Sequence, residues 1–341
     1  MTSDAPAGAA VAGDSVIAKP VGAASKIDLG PPLDEIEAAL VDPKLANKLY
    51  HDWEASTYDA KWSISFDERC ITYARDRFEH VAGRDGWPYR TALELGCGTG
   101  FFLLNLKQAG VLDEGFVTDI SPGMVAAAMG NAQTLGFTVD SRVADAELLP
   151  YPDDTFDLVV GHAVLHHIPD VDQALREVLR VLKPGGRFVF AGEPTRHGDF
   201  VARRLSRATW EMATTVSQLP GLRQRWARSR DELASSSAAA ALESLVDLHT
   251  FDPDDLARRA VRGGGVDVQT VTEELTASWF GWPVRTFEAA VNPDRLGWGW
   301  AMFAYRGWQR LSALDEHLLS RVVPARLFYN VSVTGTKSAV K

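Results

Sequence analysis

The chain has 341 residues, 46% of them hydrophobic and 23% charged, with a formal net charge of −10, enough to bury one elaborated α/β domain or two smaller ones. The negative balance speaks against a general nucleic-acid binder, and no run reaches the roughly 18 uncharged apolar residues of a membrane span. Cys70 and Cys97 alone make neither a disulfide framework nor a four-thiolate metal site.

Such sparse cysteine use suits a reducing compartment, so a cytoplasmic location is expected. Residues 1–30 are rich in Ala and Gly and lack the basic start and apolar core of a secretory signal, which predicts a disordered tail. From Asp34 to Arg77 the sequence reads as interrupted helices. Residues 31–90 are therefore expected to form a helical lead-in packed onto a core.

From residue 91 to 193 strand and helix signals alternate: "TALEL", a helix from Phe101, "GFVTDI", a helix after Ser121-Pro122, "FTVDSRVAD", "FDLVVGHA", a helix from Asp170 and "GRFVFAGE". Alternation at this pitch predicts parallel βαβ units. Ser121 is placed to cap its helix with Pro122 in the first turn. Asp170 is the expected N-cap of the next helix, with Val171, Leu175, Val178 and Leu182 inward, Arg176, Glu177, Arg180 and Lys183 outward, and Pro184-Gly185-Gly186 as the stop.

Between Thr195 and Arg230, eight Arg face only Asp199 and Glu211, a local balance of +6 that leaves −16 for the rest of the chain. Helical spacing here puts Val201, Leu205, Ala208, Met212, Val216 and Leu219 on one face and the arginines opposite. A small-residue helix is expected through "LASSSAAAALESLVDL". Residues 266–277 and "LFYNVSVTGTK" read as the last strands, and between them two helices should break at Asn292-Pro293.

The first strand runs into Gly96-Cys97-Gly98-Thr99-Gly100. A turn of this kind lets backbone approach a ligand closely and can aim N–H groups at it. A phosphate loop would end in Gly-Lys-Ser/Thr, whereas Phe101-Phe102 follow Gly100. A dinucleotide fingerprint needs a small third residue where Phe101 stands.

The run Glu94-Leu95-Gly96-Cys97-Gly98-Thr99-Gly100 resembles the first motif of the class I S-adenosylmethionine-dependent methyltransferases. Asp119 at the end of the second strand, Asp145 at the end of the third, "FDLVVGHAVLHHIPD" and "EVLRVLKPGGRFVF" extend the resemblance, which is nearest to the ubiquinone/menaquinone-type superfamily over roughly residues 50–193. It implies an α/β, Rossmann-like, doubly wound sheet of seven strands in the order 3-2-1-4-5-7-6. The methyltransferase domain would cover residues 91–341, with helical lid insertions at 195–265 and 278–325.

The resemblance further implies S-adenosyl-L-methionine as cofactor, held by Glu94, Gly96, Cys97, Gly98, Asp119, Ile120, Asp145, Ala146 and His162. Asp119 would accept both ribose hydroxyls, and Asp145 with the Ala146 N–H would meet the adenine. Glu94 keeps two readings, a partner for the methionine ammonium or a brace for the glycine loop. Cys97 is expected to offer its backbone N–H rather than its thiol. Tyr58, with Trp53, is expected either to close over the methionine end or to pack in the core.

His162 and His166 are the candidate catalytic residues. Their i, i+4 spacing lacks the Glu of a zinc-protease helix and follows a strand, so no metal is expected. His166 and His167 also have packing readings, and Glu193 has one beside acceptor contact. Trp298, Trp300, Phe303, Tyr305 and Trp308 suggest an apolar or sugar-stacking pocket or the packing of a helical lid. The expected partner is a small, fairly hydrophobic or glycosylated methyl acceptor. Arg203, Arg204 and Arg207 are candidates for contact with anionic lipid, a phosphorylated acceptor or RNA, beside the plain reading of a solvated helix face. A non-catalytic S-adenosylmethionine-binding subunit and a nicotinamide-dinucleotide oxidoreductase remain as alternatives.

Overall fold

In the computed structural model, residues 38–339 are described, and the tail expected at 1–30 lies outside them. Three lead-in helices come first: α1 (Pro43–Glu54), α2 (Tyr58–Trp62) and α3 (Glu68–Ala82). Asp42 and Asp67 start α1 and α3 by accepting N–H groups of the first turn.

The alternating region follows as β1 (Tyr89–Leu95), α4 (Phe101–Gln108), β2 (Leu112–Asp119), α5 (Pro122–Thr134), β3 (Val139–Val143), β4 (Phe156–His162), α6 (Val171–Val181) and β5 (Leu182–Pro194). The caps at Ser121 and Asp170 are present, accepting from Met124 N and Gln173 N. Four helices, α7 (Arg196–Ser217), α8 (Arg223–Trp226), α9 (Arg230–Val246) and α10 (Pro253–Arg262), then separate β5 from β6 (Gly265–Glu273). The last strand, β7 (Asn330–Lys337), comes after α11 (Thr276–Ala290) and α12 (Trp298–His317).

The seven strands form one sheet in the order β3-β2-β1-β4-β5-β7-β6, with β7 antiparallel to both neighbours. Its central strands carry apolar side chains toward both faces because both are covered. One face packs Leu175, Val178 and Leu179 of α6 and Leu256 and Ala260 of α10 against Leu93, Val159 and Phe188. The other packs Phe78 of α3 and Phe102, Leu103 and Leu106 of α4 against Ala92, Leu158 and Val189. Parallel strands sharing one direction bring the loops after β1, β2, β3 and β4 to a common edge, where open α/β sheets take their ligands.

Several expectations are corrected. Helix α6 stops at Val181, and Leu182 through Pro194 is already strand, because Leu182 pairs with Phe156 of β4. Glu177 turns inward, where its carboxylate accepts Leu149 N (2.8 Å) and pairs with Arg180 (2.8 Å). Helix α11 begins at Thr276 and keeps Pro283 inside it. The apolar stripe read on α7 is not its buried face. Gly198, Ala202, Ala213 and Ser217 are buried instead, since small residues let the helix lie close to its neighbours, and a Cβ on Gly198 would come within 2.3 Å of Tyr329 Cα.

Candidate active site

Gly96, Gly98 and Gly100 all adopt left-handed backbone, with φ of 59°, 49° and 84°. A Cβ at Gly96 would meet Val164 Cγ2 at 2.1 Å, and one at Gly100 would meet Leu104 Cδ1 at 2.8 Å. At Gly98 only Tyr58 Cε1, 3.9 Å away, falls within contact range. Gly96 and Gly100 therefore let the turn close onto its own core, whereas Gly98 presents backbone to open space beneath Tyr58.

Asp119, at the end of β2, braces this turn. It accepts Gly98 N at 2.9 Å on one oxygen and Ser121 N at 2.9 Å on the other. Burial pushes its carboxyl up to about 6 against the pull of those two N–H donors. Glu94 is buried and accepts Leu103 N at 3.2 Å, so its contact is with the first turn of α4 rather than with the glycine turn itself. Desolvation raises its pKa well above the usual carboxylate value.

Cys97 corrects an expectation, because its N–H already donates to Thr118 O at 2.9 Å and is not available to a ligand. Its thiol is buried and its pKa is raised by desolvation, the opposite of an activated nucleophile.

Ile120, Ala146 and Asp145 line the same cavity. Asp145 is tied to Lys44 of α1 (2.6 Å), which also holds Glu147 (2.6 Å), so the lead-in is clamped across the loop after β3. A second link runs from Asp52 to Ser121 Oγ (2.5 Å) and Gly123 N (2.8 Å). Neither Lys44 nor Asp52 was singled out in the sequence. Tyr58 lines the cavity, whereas Trp53 packs beside the cluster of Ala46, Tyr50 and Val246.

The two candidate catalytic histidines occupy different environments. His162 sits at the end of β4 among the rings of Phe101 and Phe102, its Nε2 3.2 Å from Tyr73 Oη. Burial, with the nearby charge of Arg77, lowers its pKa to about 4, leaving a neutral, weakly basic ring. His166 instead faces Glu193, with Nδ1 2.8 Å from Oε2. Glu193, fully buried near the end of β5, also accepts the backbone N–H groups of Val164, Leu165 and His166 at 2.9–3.1 Å. Burial alone would lower His166 and raise Glu193. Their pairing reverses both directions, so His166 lies above the ordinary histidine value and Glu193 below the ordinary carboxylate value.

His166, His167 and Asp247 bring ligand-type atoms within 4.8 Å of one another. His167 Nδ1, however, is 2.9 Å from Val246 O, which selects the tautomer with the proton on that nitrogen and removes its lone pair from the group. The cluster reads better as the polar wall around His166.

The cavity measures about 1540 Å³, above the roughly 300–1,000 Å³ of an ordinary small-molecule site. Its lining includes the glycine turn, His162 and His166, and also Phe280 and Trp282 of α11 and Tyr305 and Trp308 of α12. The five aromatics expected to act together are divided. Tyr305 and Trp308 line the cavity, Trp300 bonds Glu288, and Trp298 and Phe303 are exposed.

Residues 93–190 match the methyltransferase domain family. The chain is 33% identical over 140 residues to the arginine-hydroxylase NDUFAF5 of Danio rerio, covering 41% of each protein. It is 39% identical over 100 residues to the ubiquinone/menaquinone biosynthesis C-methyltransferase UbiE of Pasteurella multocida, covering 28% of this chain and 37% of that one. These matches span less than half the length of either relative. A solved structure from Galdieria sulphuraria, assigned as a sarcosine dimethylglycine methyltransferase, superposes with a TM-score of 0.50 at 13% identity, over 84% of this chain and 98% of that one.

Proposed function

Starting from a core domain that is a class I S-adenosylmethionine-dependent methyltransferase domain, with S-adenosylmethionine as its cofactor, we propose that the whole chain methylates a hydroxyl group of a small, largely apolar acceptor. The observation that carries this reading is His166 on the cavity wall, paired with the buried Glu193 behind it.

The residues present fit the cofactor. Gly98 leaves room that any side chain would fill, Asp119 offers a carboxylate to paired hydroxyls, and Asp145 stands with Ala146 on the wall of the same cavity. When bound, the cofactor supplies a methyl group on a sulfonium, an excellent leaving group for in-line displacement. The protein's main task is then alignment, worth roughly 7–11 kcal/mol when the reacting groups are held in line.

A hydroxyl acceptor must lose its proton as the oxygen–carbon bond forms and the sulfur–carbon bond breaks. Glu193 fixes the proton of neutral His166 on Nδ1, so Nε2 is the nitrogen that takes the acceptor's proton. A base placed in this way contributes about 10²–10⁴-fold. His162, with its depressed pKa and its contact to Tyr73, serves position rather than proton transfer. Since the domain match spans relatives named for hydroxylation and for methylation, the choice of reaction rests on this pair and on the cavity.

The experiment is a screen of apolar hydroxyl-bearing acceptors with methyl-labelled cofactor, using wild type and His166→Ala. Label on an acceptor oxygen, lost in the variant while cofactor binding persists, supports the reading. Label on nitrogen or carbon, or turnover that survives the substitution, overturns it.

A further inference from the structure

Helix α7 has two working faces. Inward, Asp199 and Arg203 line the cavity, and Arg203 is held by Asp199 (2.7 Å) and Asp247 (3.4 Å). Outward, Phe200, Met212, Val216 and Leu219 are 54%, 61%, 44% and 50% exposed, and Leu222 continues the stripe into the following turn. Met212 and Val216, four residues apart, share a face near the end of this helix of about 33 Å, Leu219 and Leu222 follow in the turn beyond it, and Phe200, twelve residues before Met212, extends the exposed apolar surface about 120° round the helix. A soluble surface rarely leaves such an apolar line uncovered.

Arginines flank this stripe. Arg204 lies over the Phe200 ring at 4.1 Å, and Arg207, Arg223 and Arg225 are exposed. Among the described residues none of these four is within ion-pair distance of a carboxylate, in contrast to Arg203. Beyond the end of α7, a hollow of about 530 Å³ is lined by Thr214, Gln218, Arg223, Arg228, Ser229 and Arg230. Arg228 donates Nη1 to Ala289 O (2.7 Å) and keeps a buried Nε without an acceptor.

We propose that the outer face of α7 and the α8 turn form a docking surface for an anionic phospholipid membrane, with the apolar stripe entering the headgroup region and the hollow receiving a lipid phosphate. Charge complementarity selects this occupant: the segment is positive by six in a chain that is otherwise strongly acidic, and its exposed arginines Arg204, Arg207, Arg223 and Arg225 would draw it to an anionic surface. A helix with aromatic and aliphatic residues beside arginines is suited to lie in such an interface. No described helix is long and apolar enough to cross a membrane, so the contact would be peripheral. The proposal does not depend on which acceptor is methylated.

The test is sedimentation of the full chain with phosphatidylcholine vesicles, with and without phosphatidylglycerol. Binding should require the anionic lipid and fade in high salt. Each arginine near the surface contributes roughly five-fold, so Arg204→Ala with Arg207→Ala should weaken partition about 25-fold. Leu219→Glu should abolish it, with melting temperatures unchanged because all three side chains are exposed. Absence of binding, or equal binding to neutral vesicles, would overturn the proposal. So would light scattering that shows a dimer dispersed by Leu219→Glu, since a second copy would then cover the stripe.

Discussion

Two glycines of one turn should respond differently to the same substitution. Gly96 and Gly98 both have left-handed backbone, so an alanine at either costs roughly 1–2 kcal/mol in conformational strain. At Gly96 the new methyl also meets Val164 Cγ2 at 2.1 Å, against an ordinary carbon–carbon contact of about 3.5–4.0 Å, and Val164 is buried in the main core. Overpacking of this kind adds about 1–3 kcal/mol. Gly98→Ala meets nothing closer than 3.9 Å and should fold with only the strain cost, but its methyl would enter the open space proposed for the cofactor. At roughly 2–4 °C per kcal/mol, thermal unfolding should show a drop of a few degrees for Gly98→Ala and about twice that or more for Gly96→Ala. Calorimetry should show S-adenosylhomocysteine binding weakened at least about ten-fold by Gly98→Ala, as loss of a backbone approach worth 1.4 kcal/mol would give. Equal melting temperatures, or wild-type affinity in Gly98→Ala, would refute the division of labour between the two glycines.

Three further outcomes follow from the same geometry. Only ionised Asp119 accepts two hydroxyls, and its pKa is about 6 in the folded protein, so S-adenosylhomocysteine affinity should be level above that pH and fall below it; calorimetry across pH 5–8 reads this, and a flat profile would remove Asp119 from the ribose contact. The same shift has the opposite sign for stability. A carboxyl moved up from its ordinary 3.8 binds protons more tightly when folded, so its contribution to the ligand-free protein falls as pH rises from about 4 to about 6. Glu193→Gln removes the charge that raises His166, so the pH at which turnover rises should move down and kcat should fall with little change in cofactor KM; an unshifted pH profile would leave Glu193 a purely structural role. Lys44→Met breaks two partly exposed ion pairs and should lower stability by about 1 kcal/mol while cofactor leaves faster, which stopped-flow displacement would detect.

Local features were readable wherever the signal lay in neighbouring residues. The turn from Gly96 to Gly100, the caps at Ser121 and Asp170 and the alternation of strands with helices each depend on contacts within a few positions. What escaped was the set of contacts that folding brings together. Lys44 meets Asp145 from 101 residues away, and Glu193 meets His166 from 27. Nothing in either local sequence marks the partner. Cys97 looked like a donor to the ligand because its neighbours suit one, yet the adjacent β2 claims its N–H through Thr118. On α7, periodicity identified an apolar stripe correctly as a pattern, but hydrophobicity alone could not say that small residues on another face would let the helix pack closer.

The whole reading depends on the turn after β1, with Asp119, holding S-adenosylmethionine. Isothermal calorimetry of S-adenosylmethionine and S-adenosylhomocysteine against wild type and Asp119→Ala tests it most directly. Saturable binding by the wild type and a loss of at least about ten-fold in the variant are expected, with both proteins folded. A folded wild type that binds neither compound, or a variant that binds both as well as the wild type does, would contradict it.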